Sequence, residues 1–272
     1  MEIKLVNLAS YPAPIRLAGF FLTLLLLWLP LAAPIYFLGN DKNLVTILTM
    51  GLLFAEFLVL LRIWGKNIYR QPQLLKIYGL VRTRQNVLEL VKGLNIGLLF
   101  TLSLFGLEGL LGWVVWQDSD RLLKIIIEGF ISALGVAFAE ELVFRGWLLN
   151  ELQRDYRPNT VLWADGIIFA SLHFLKSFKE MIRTLPTFPA LLLLGLTLVW
   201  AKRGSKGRLG LSIGLHAGLV WGYYIINVGQ LVKFSNRVPE WVTGIDRNPL
   251  AGVMGLIFLG ILAFWMRKRA QG

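Results

Sequence analysis

The chain has no cysteine in 272 residues, only two histidines, and charged side chains at only 16% of positions. The missing cysteine excludes disulfides, thiolate nucleophiles and thiolate metal ligands together, and leaves the redox compartment open. A soluble domain averages nearer to about 25% charged residues. Alternation is scarce too. Runs such as Leu17 to Leu38 show no period-two polarity, whereas the strands of a membrane barrel alternate over about ten residues. What is abundant is apolar side chain, 56% of the chain, with a mean hydropathy of +0.63. Lipid offers the backbone no hydrogen-bond partner, so long apolar runs must close their bonds internally, as helices do. The fold class expected is all-α, a polytopic membrane helical bundle.

Crossing the hydrocarbon takes about 20 apolar residues. Eight transmembrane helices are expected, at 16–38, 44–63, 93–116, 125–144, 160–176, 187–201, 208–228 and 249–266. The fifth and sixth are short, which tilt or local thinning accommodates. The first run is longer than a signal-peptide core, and Pro34 follows Ala32-Ala33, a poor cleavage site. It reads as a retained helix. Nothing resembles a soluble domain, a repeat or a low-complexity segment, so residues 1–272 are read as a single membrane domain.

A net charge of +12 would suggest nucleic acid in a soluble protein. Here the cations lie between apolar runs, so no nucleic acid is expected, and anionic lipid headgroups are the partners of the basic loops. With the N-terminus inside, the cytoplasmic side holds Lys4, Arg16, the seven cations from Arg62 to Lys92, Arg145, Arg154, Arg157, Lys202, Arg203, Lys206, Arg208 and Arg267-Lys268-Arg269. That is 19 of the 28 lysines and arginines, so both termini are expected to be cytoplasmic. In the stretch from Trp64 to Lys92, Trp64, Tyr69 and Tyr78 are expected at headgroup depth.

Ionisable groups inside a membrane cost at least about 2.5–3.5 kcal/mol each on insertion scales, so each asks for a reason. The chief cluster is Ala139-Glu140-Glu141-Leu142-Val143-Phe144-Arg145-Gly146. Successive helical residues differ by about 100°, so the two glutamates face different ways. Glu141 precedes Arg145 by four, the favourable order for an ion pair, and a structural clasp is the reading preferred there. Glu140 has no such partner in its own helix. A carboxylate in an apolar site beside another suits a general base. His173, in Phe169-Ala170-Ser171-Leu172-His173, lies as far after Arg157 as Glu141 lies before it. In an antiparallel hairpin turning near Arg157-Pro158, that spacing brings Glu140 and His173 level. Asp165, two turns earlier, either continues this polar face or supports it.

The seventh span carries glycines at 210, 214, 218 and 222, a spacing that lets another helix approach closely. Ser212, His216, Tyr223 and Asn227 share the opposite, polar face. Gly210-Leu211-Ser212-Ile213-Gly214 fits the G-x-S-x-G pattern, but that motif needs a strand-to-helix elbow, which a membrane helix does not provide. Packing explains its glycines better than serine catalysis does.

Glu140-Glu141-x-x-x-Arg145, then Phe169-x-x-x-His173, then His216 in a late span, resembles the CAAX-protease and bacteriocin-processing family, also called the abortive-infection family. Phe144-Arg145-Gly146 completes the first motif in its usual form, and the resemblance covers the second half of the chain, with 125–228 as the catalytic core helices. It implies an intramembrane endopeptidase with an eight-helix core. Glu140 would activate the attacking water with His173 and His216 as partners, and Glu141, Arg145 and Phe169 would support the site. The expected substrate is a membrane protein or a lipid-modified peptide. Zinc held by Glu140, His173 and His216, as in His₂Glu sites, and a glutamate-bound water without metal are both left open. The family's third motif usually places an asparagine four residues after the histidine, where this chain has Val220. Loss of an oxyanion donor can cost about 10²–10³ in rate. A catalytically inactive scaffold or bacteriocin-immunity protein of the same fold is therefore the alternative. A proton-coupled transporter ranks third, since no paired interrupted helices occur in matching halves.

Overall fold

A computed structural model describes residues 5–272, with side chains from residue 8 onward. Lys4, counted above on the cytoplasmic side, lies outside the described residues. The described chain is helical almost throughout. Its long elements are α1 (Ala13–Leu38), α2 (Lys42–Asn67), α3 (Arg84–Leu110) and α4 (Leu122–Glu141), which runs through a π-helical segment (Leu142–Leu148) into α5 (Leu149–Gln153). Next come α6 (Pro158–Leu172), α7 (Phe178–Thr184), α8 (Phe188–Arg203), α9 (Gly210–Val228) and α10 (Val253–Gln271). Among the described residues, six helical segments are long and apolar enough to cross a membrane: Ala13–Leu38, Lys42–Asn67, Arg84–Leu110, Leu122–Gln153, Phe178–Arg203 and Gly210–Val228. The shorter α6 and the final α10 occupy the places of the fifth and eighth expected spans. The protein is a multi-pass integral membrane protein.

Three expectations change. The third span starts at Arg84, where Thr83 caps the backbone N–H of Asn86, and it ends at Leu110 instead of running to 116. Gly112 turns the chain with φ +70°, and Val114–Trp116 forms a strand (β1) antiparallel to Val232–Phe234 (β2). β-Branched and aromatic residues suit a strand as well as an apolar helix, so composition alone did not separate the two. The fifth span ends at Leu172, and His173 is its C-terminal cap. Finally, Trp64, Tyr69 and Tyr78 are buried, not presented to headgroups.

The described residues divide into two compact units, one of those up to 77 with 150–156 and one of 78–149 with 157–272. In the first, α1 and α2 form a hairpin joined by rings: Phe20 meets Phe57 and Trp64 edge-on at 5.8 and 5.2 Å. Asp41 caps the start of α2. A buried ionic cluster closes the unit, with Arg16 donating to Glu151 at 3.0 Å and the Tyr69 hydroxyl donating to the same carboxylate at 2.8 Å. Burial and the neighbouring Glu151 charge push the Tyr69 phenol up to about 12, so it stays a donor throughout the physiological range.

In the second unit the glycine ladder of α9 packs on α3. A Cβ on Gly214 would meet the Leu90 carbonyl oxygen at 2.0 Å, and one on Gly218 the Leu94 oxygen at 2.2 Å. Gly93 and Gly97 answer from the α3 side. This contact fixes the rotation of α9 and turns His216 away from α3. A second close crossing joins α6 to α8, where a Cβ on Gly195 would come within 3.0 Å of the Gly166 Cα.

Candidate active site

Four segments of the second unit bring the polar residues together. α4 and the π-helical segment carry Glu140, Glu141 and Arg145; α6 and its cap carry Asp165, Phe169 and His173; α9 carries His216; α8 contributes the Gly195 carbonyl. Glu140 Oε2 lies 3.9 Å from His173 Nε2 and 3.9 Å from His216 Nε2. That oxygen is buried and has no hydrogen-bond partner among the described residues. Glu140 and His173 thus stand opposite each other, as their near-equal spacing about Arg157 implied, and His216 joins them from α9.

The far nitrogen of each imidazole is tied down. His216 Nδ1 lies 3.0 Å from Glu141 Oε1, and His173 Nδ1 lies 2.8 Å from the Phe169 carbonyl oxygen. A carbonyl oxygen only accepts, and a carboxylate paired with arginine only accepts, so both Nδ1 atoms carry the hydrogen. In the neutral imidazole that leaves both Nε2 atoms bare. Three lone-pair acceptors, two imidazole nitrogens and one carboxylate oxygen, face one small gap. Either the protons of a water or a cation answers such an arrangement.

The donor types are those of a His₂Glu zinc site, and anchored far nitrogens are what zinc-bound histidines require. The spacing is not. Zinc bonds of about 2.1 Å set ligand atoms about 3.4 Å apart in a tetrahedron, less than the 3.9 Å found. Among the described residues no group of three His, Cys, Asp or Glu is placed to hold a metal ion.

Around this gap sits a sealed ionic support. Arg145 donates from Nη1 to Glu141 at 3.0 Å and from Nη2 to the Gly195 carbonyl at 3.1 Å. Its guanidinium lies over the Phe169 ring, 4.2 Å from the centroid, and its Nε stands 3.4 Å from Asp165 Oδ1. Lys202 Nζ donates to the Arg145 backbone carbonyl at 2.6 Å. Glu141, Arg145 and Asp165 are 0% exposed, whereas the side chains of Glu140 and His173 are 31% and 32% exposed. Glu140 and His173 are therefore open, whereas His216, at 4% exposure, is buried with the groups that hold it. The clasp expected between Glu141 and Arg145 is present, and the same carboxylate reaches His216, a contact the sequence spacing did not suggest.

The π-helical segment was not read from the sequence either. Within it the Leu149 N–H bonds to the Phe144 carbonyl, five residues back, and such widened turns are frequent at functional sites. Ser212 is buried and donates to the Leu209 carbonyl at 3.1 Å, so the G-x-S-x-G match exposes no nucleophile. Val220, one turn past His216, lines an apolar cavity of about 190 Å³ with Phe100, Leu104 and Phe258. Tyr223, which also lines that cavity, and Asn227 line a cleft of about 690 Å³ with residues 117–121.

Residues 121–222 match the family model described as type II CAAX prenyl endopeptidase Rce1-like. Glu140, Glu141, Arg145, Asp165, Phe169, His173 and His216 all lie within that stretch. No curated protein and no solved structure matches the chain.

Proposed function

We propose that the protein is an intramembrane endopeptidase that hydrolyses a peptide bond by glutamate-activated water, a reading supported by the match of residues 121–222 to the type II CAAX prenyl endopeptidase Rce1-like family model. One observation carries the reading: the unpartnered Glu140 Oε2, 3.9 Å from the bare Nε2 of each histidine. A water in that gap donates one proton to Glu140 and one to an imidazole. As its oxygen attacks the carbonyl carbon, Glu140 takes the proton, and it returns that proton to the leaving amine as the C–N bond breaks. Glu141 and the Phe169 carbonyl hold the imidazoles in the tautomer that leaves both Nε2 lone pairs facing the gap, so that one or the other takes the water's second proton. Glu140 thus serves as base and then acid, and His173 and His216 orient the water. Glu141, Arg145 and Phe169 hold the geometry. No step is routed through zinc, a form supported by the two 3.9 Å separations from Glu140 Oε2, which are wider than the roughly 3.4 Å of a zinc tetrahedron.

The substrate class is a membrane protein or a lipid-modified peptide, with anionic headgroups at the basic loops and both termini cytoplasmic. One observation favours a second reading, an inactive scaffold of the same fold. Val220 faces an apolar cavity where the family usually carries an asparagine, so that donor to the oxyanion is missing.

The test is a proteome-derived peptide library incubated with purified protein, with new termini read by mass spectrometry. Wild type is expected to generate them, and Glu140→Gln, His173→Ala and His216→Ala are expected to give none while remaining folded. Cleavage by Glu140→Gln at the wild-type rate would remove Glu140 from the chemistry. A folded wild type that cleaves nothing would favour the scaffold.

A further inference from the structure

Asp165 takes no part in the reaction just described, yet it is 0% exposed, and neither of its oxygens has a hydrogen-bond partner among the described residues. A fully buried carboxylate is costly to keep ionised without compensation. The compensation on hand is Arg145, whose Nε lies 3.4 Å from Asp165 Oδ1. The Gly166–Gly195 crossing brings this about, since it packs α6 on α8 closely enough for Asp165 and the Gly195 carbonyl to reach one guanidinium.

That guanidinium is held on every side. Asp165 faces Nε, Glu141 takes Nη1, the Gly195 carbonyl takes Nη2, and the Phe169 ring covers the plane. The detail that matters is on Glu141. Its Oε1 accepts from both Arg145 Nη1 and His216 Nδ1, each at 3.0 Å. Glu141 Oε2 has no hydrogen-bond partner among the described residues, so a guanidinium free to swing would present two N–H groups to both oxygens of Glu141, as arginine does to a free carboxylate, and turn that carboxylate out of line with the His216 Nδ1–H. A charge on the Nε side keeps the guanidinium from doing so.

We infer that Asp165 is a positioning residue for His216, acting through Arg145 and Glu141 to keep the imidazole in its Nδ1–H tautomer with Nε2 toward Glu140. The inference rests on the hydrolytic reading for its purpose, but not for its test. With two histidines in the chain, imidazole-¹⁵N-labelled protein in detergent gives two side-chain spin systems, assigned by His173→Ala. Wild type is expected to show His216 in a single tautomer protonated at Nδ1. D165N, nearly isosteric but neutral, is expected to keep the wild-type melting midpoint while His216 distributes over both tautomers. D165E, which restores the charge, is expected to recover the single tautomer. On whichever library peptide wild type cleaves, D165N should lose about 10–100-fold in kcat with KM unchanged, the range typical of groups that orient a first ligand. Arg145→Lys keeps a charge but cannot hold two carboxylates in a fork, so it should scramble the same tautomer.

D165N with the wild-type tautomer overturns the inference. So does a D165N whose losses follow a lowered melting midpoint or a failure to fold, since Asp165 would then serve stability alone. A wild type that shows the tautomer pattern and cleaves no peptide keeps the positioning role and defeats the hydrolytic reading instead.

Discussion

Truncating Arg145 to alanine should damage the fold as well as the site. The side chain is fully buried and is the shared counter-charge of Glu141 and Asp165, both also fully buried. Removing one partner of a buried ion pair costs about 3–5 kcal/mol, because the other charge is left uncompensated. Loss of the guanidinium from the face of Phe169, 4.2 Å from the ring centroid, adds up to about 2 kcal/mol when desolvated. At about 2–4 °C per kcal/mol for a chain of this size, the ion-pair loss alone lowers the melting midpoint by roughly 6–20 °C. The ten tryptophans make intrinsic fluorescence in detergent a direct assay, with buried Trp147 two residues from the lesion. Arg145→Lys should fall between the two, since lysine supplies charge without the planar fork. An Arg145→Ala protein that melts with wild type but has lost activity would refute the argument, because the clasp would then carry chemistry and no stability.

Three further outcomes follow from the same geometry. Because the chain lacks cysteine, Glu140→Cys with His173→Cys should be joined in native membranes by a short bifunctional maleimide. Glu140→Cys with Ile167→Cys should not, Ile167 being on the exposed face of α6; equal yields from both pairs would deny that Glu140 and His173 oppose each other. Val220→Asn restores a donor one turn from His216 and is expected to raise kcat by up to about 10²-fold. A fall in both kcat and melting midpoint would show that the position serves the apolar cavity instead. Hydrolysis is expected to survive prolonged dialysis against a zinc chelator, and loss with recovery on adding Zn²⁺ would replace the metal-free reading by a His₂Glu centre.

The helices were legible because long apolar runs leave a backbone in lipid no other way to bond. Their ends were less so. Arg84, Gln85 and Glu89 are polar yet lie inside α3, where Gln85 and Arg208 both donate to Glu89. Trp113 to Trp116 is apolar yet belongs largely to a strand, because Gly112 breaks the helix before it. The convergence of Glu140 and His173 could be reckoned from equal spacing about the turn at Pro158, a property of rise per residue alone. The contact between Glu141 and His216 could not, since it depends on how α9 rotates, and that is fixed by backbone-to-backbone packing of Gly214 and Gly218 against α3. The glycines announced a close helix neighbour without saying which one. The same limit hid the second anchor of Arg145, the Gly195 carbonyl, because a backbone acceptor leaves no mark on residue type. Trp64 was misplaced because its ring packs edge-on against Phe20 as readily as it lies in a headgroup layer, and Tyr69 because an amphipathic ring suits a headgroup layer and a buried hydroxyl–carboxylate contact equally well. Tyr69 took the second, on Glu151.

The claim that Glu140 activates a water, and is not itself the nucleophile, can be read from where oxygen ends up. A single turnover in H₂¹⁸O, with protein in excess over a cleaved library peptide, is quenched and both partners are digested for mass spectrometry. The account predicts one ¹⁸O in the new C-terminal carboxylate of the product and none in the fragment that contains Glu140. Label in the Glu140 carboxylate would mean that a glutamyl anhydride had formed and been opened by water, and would contradict it.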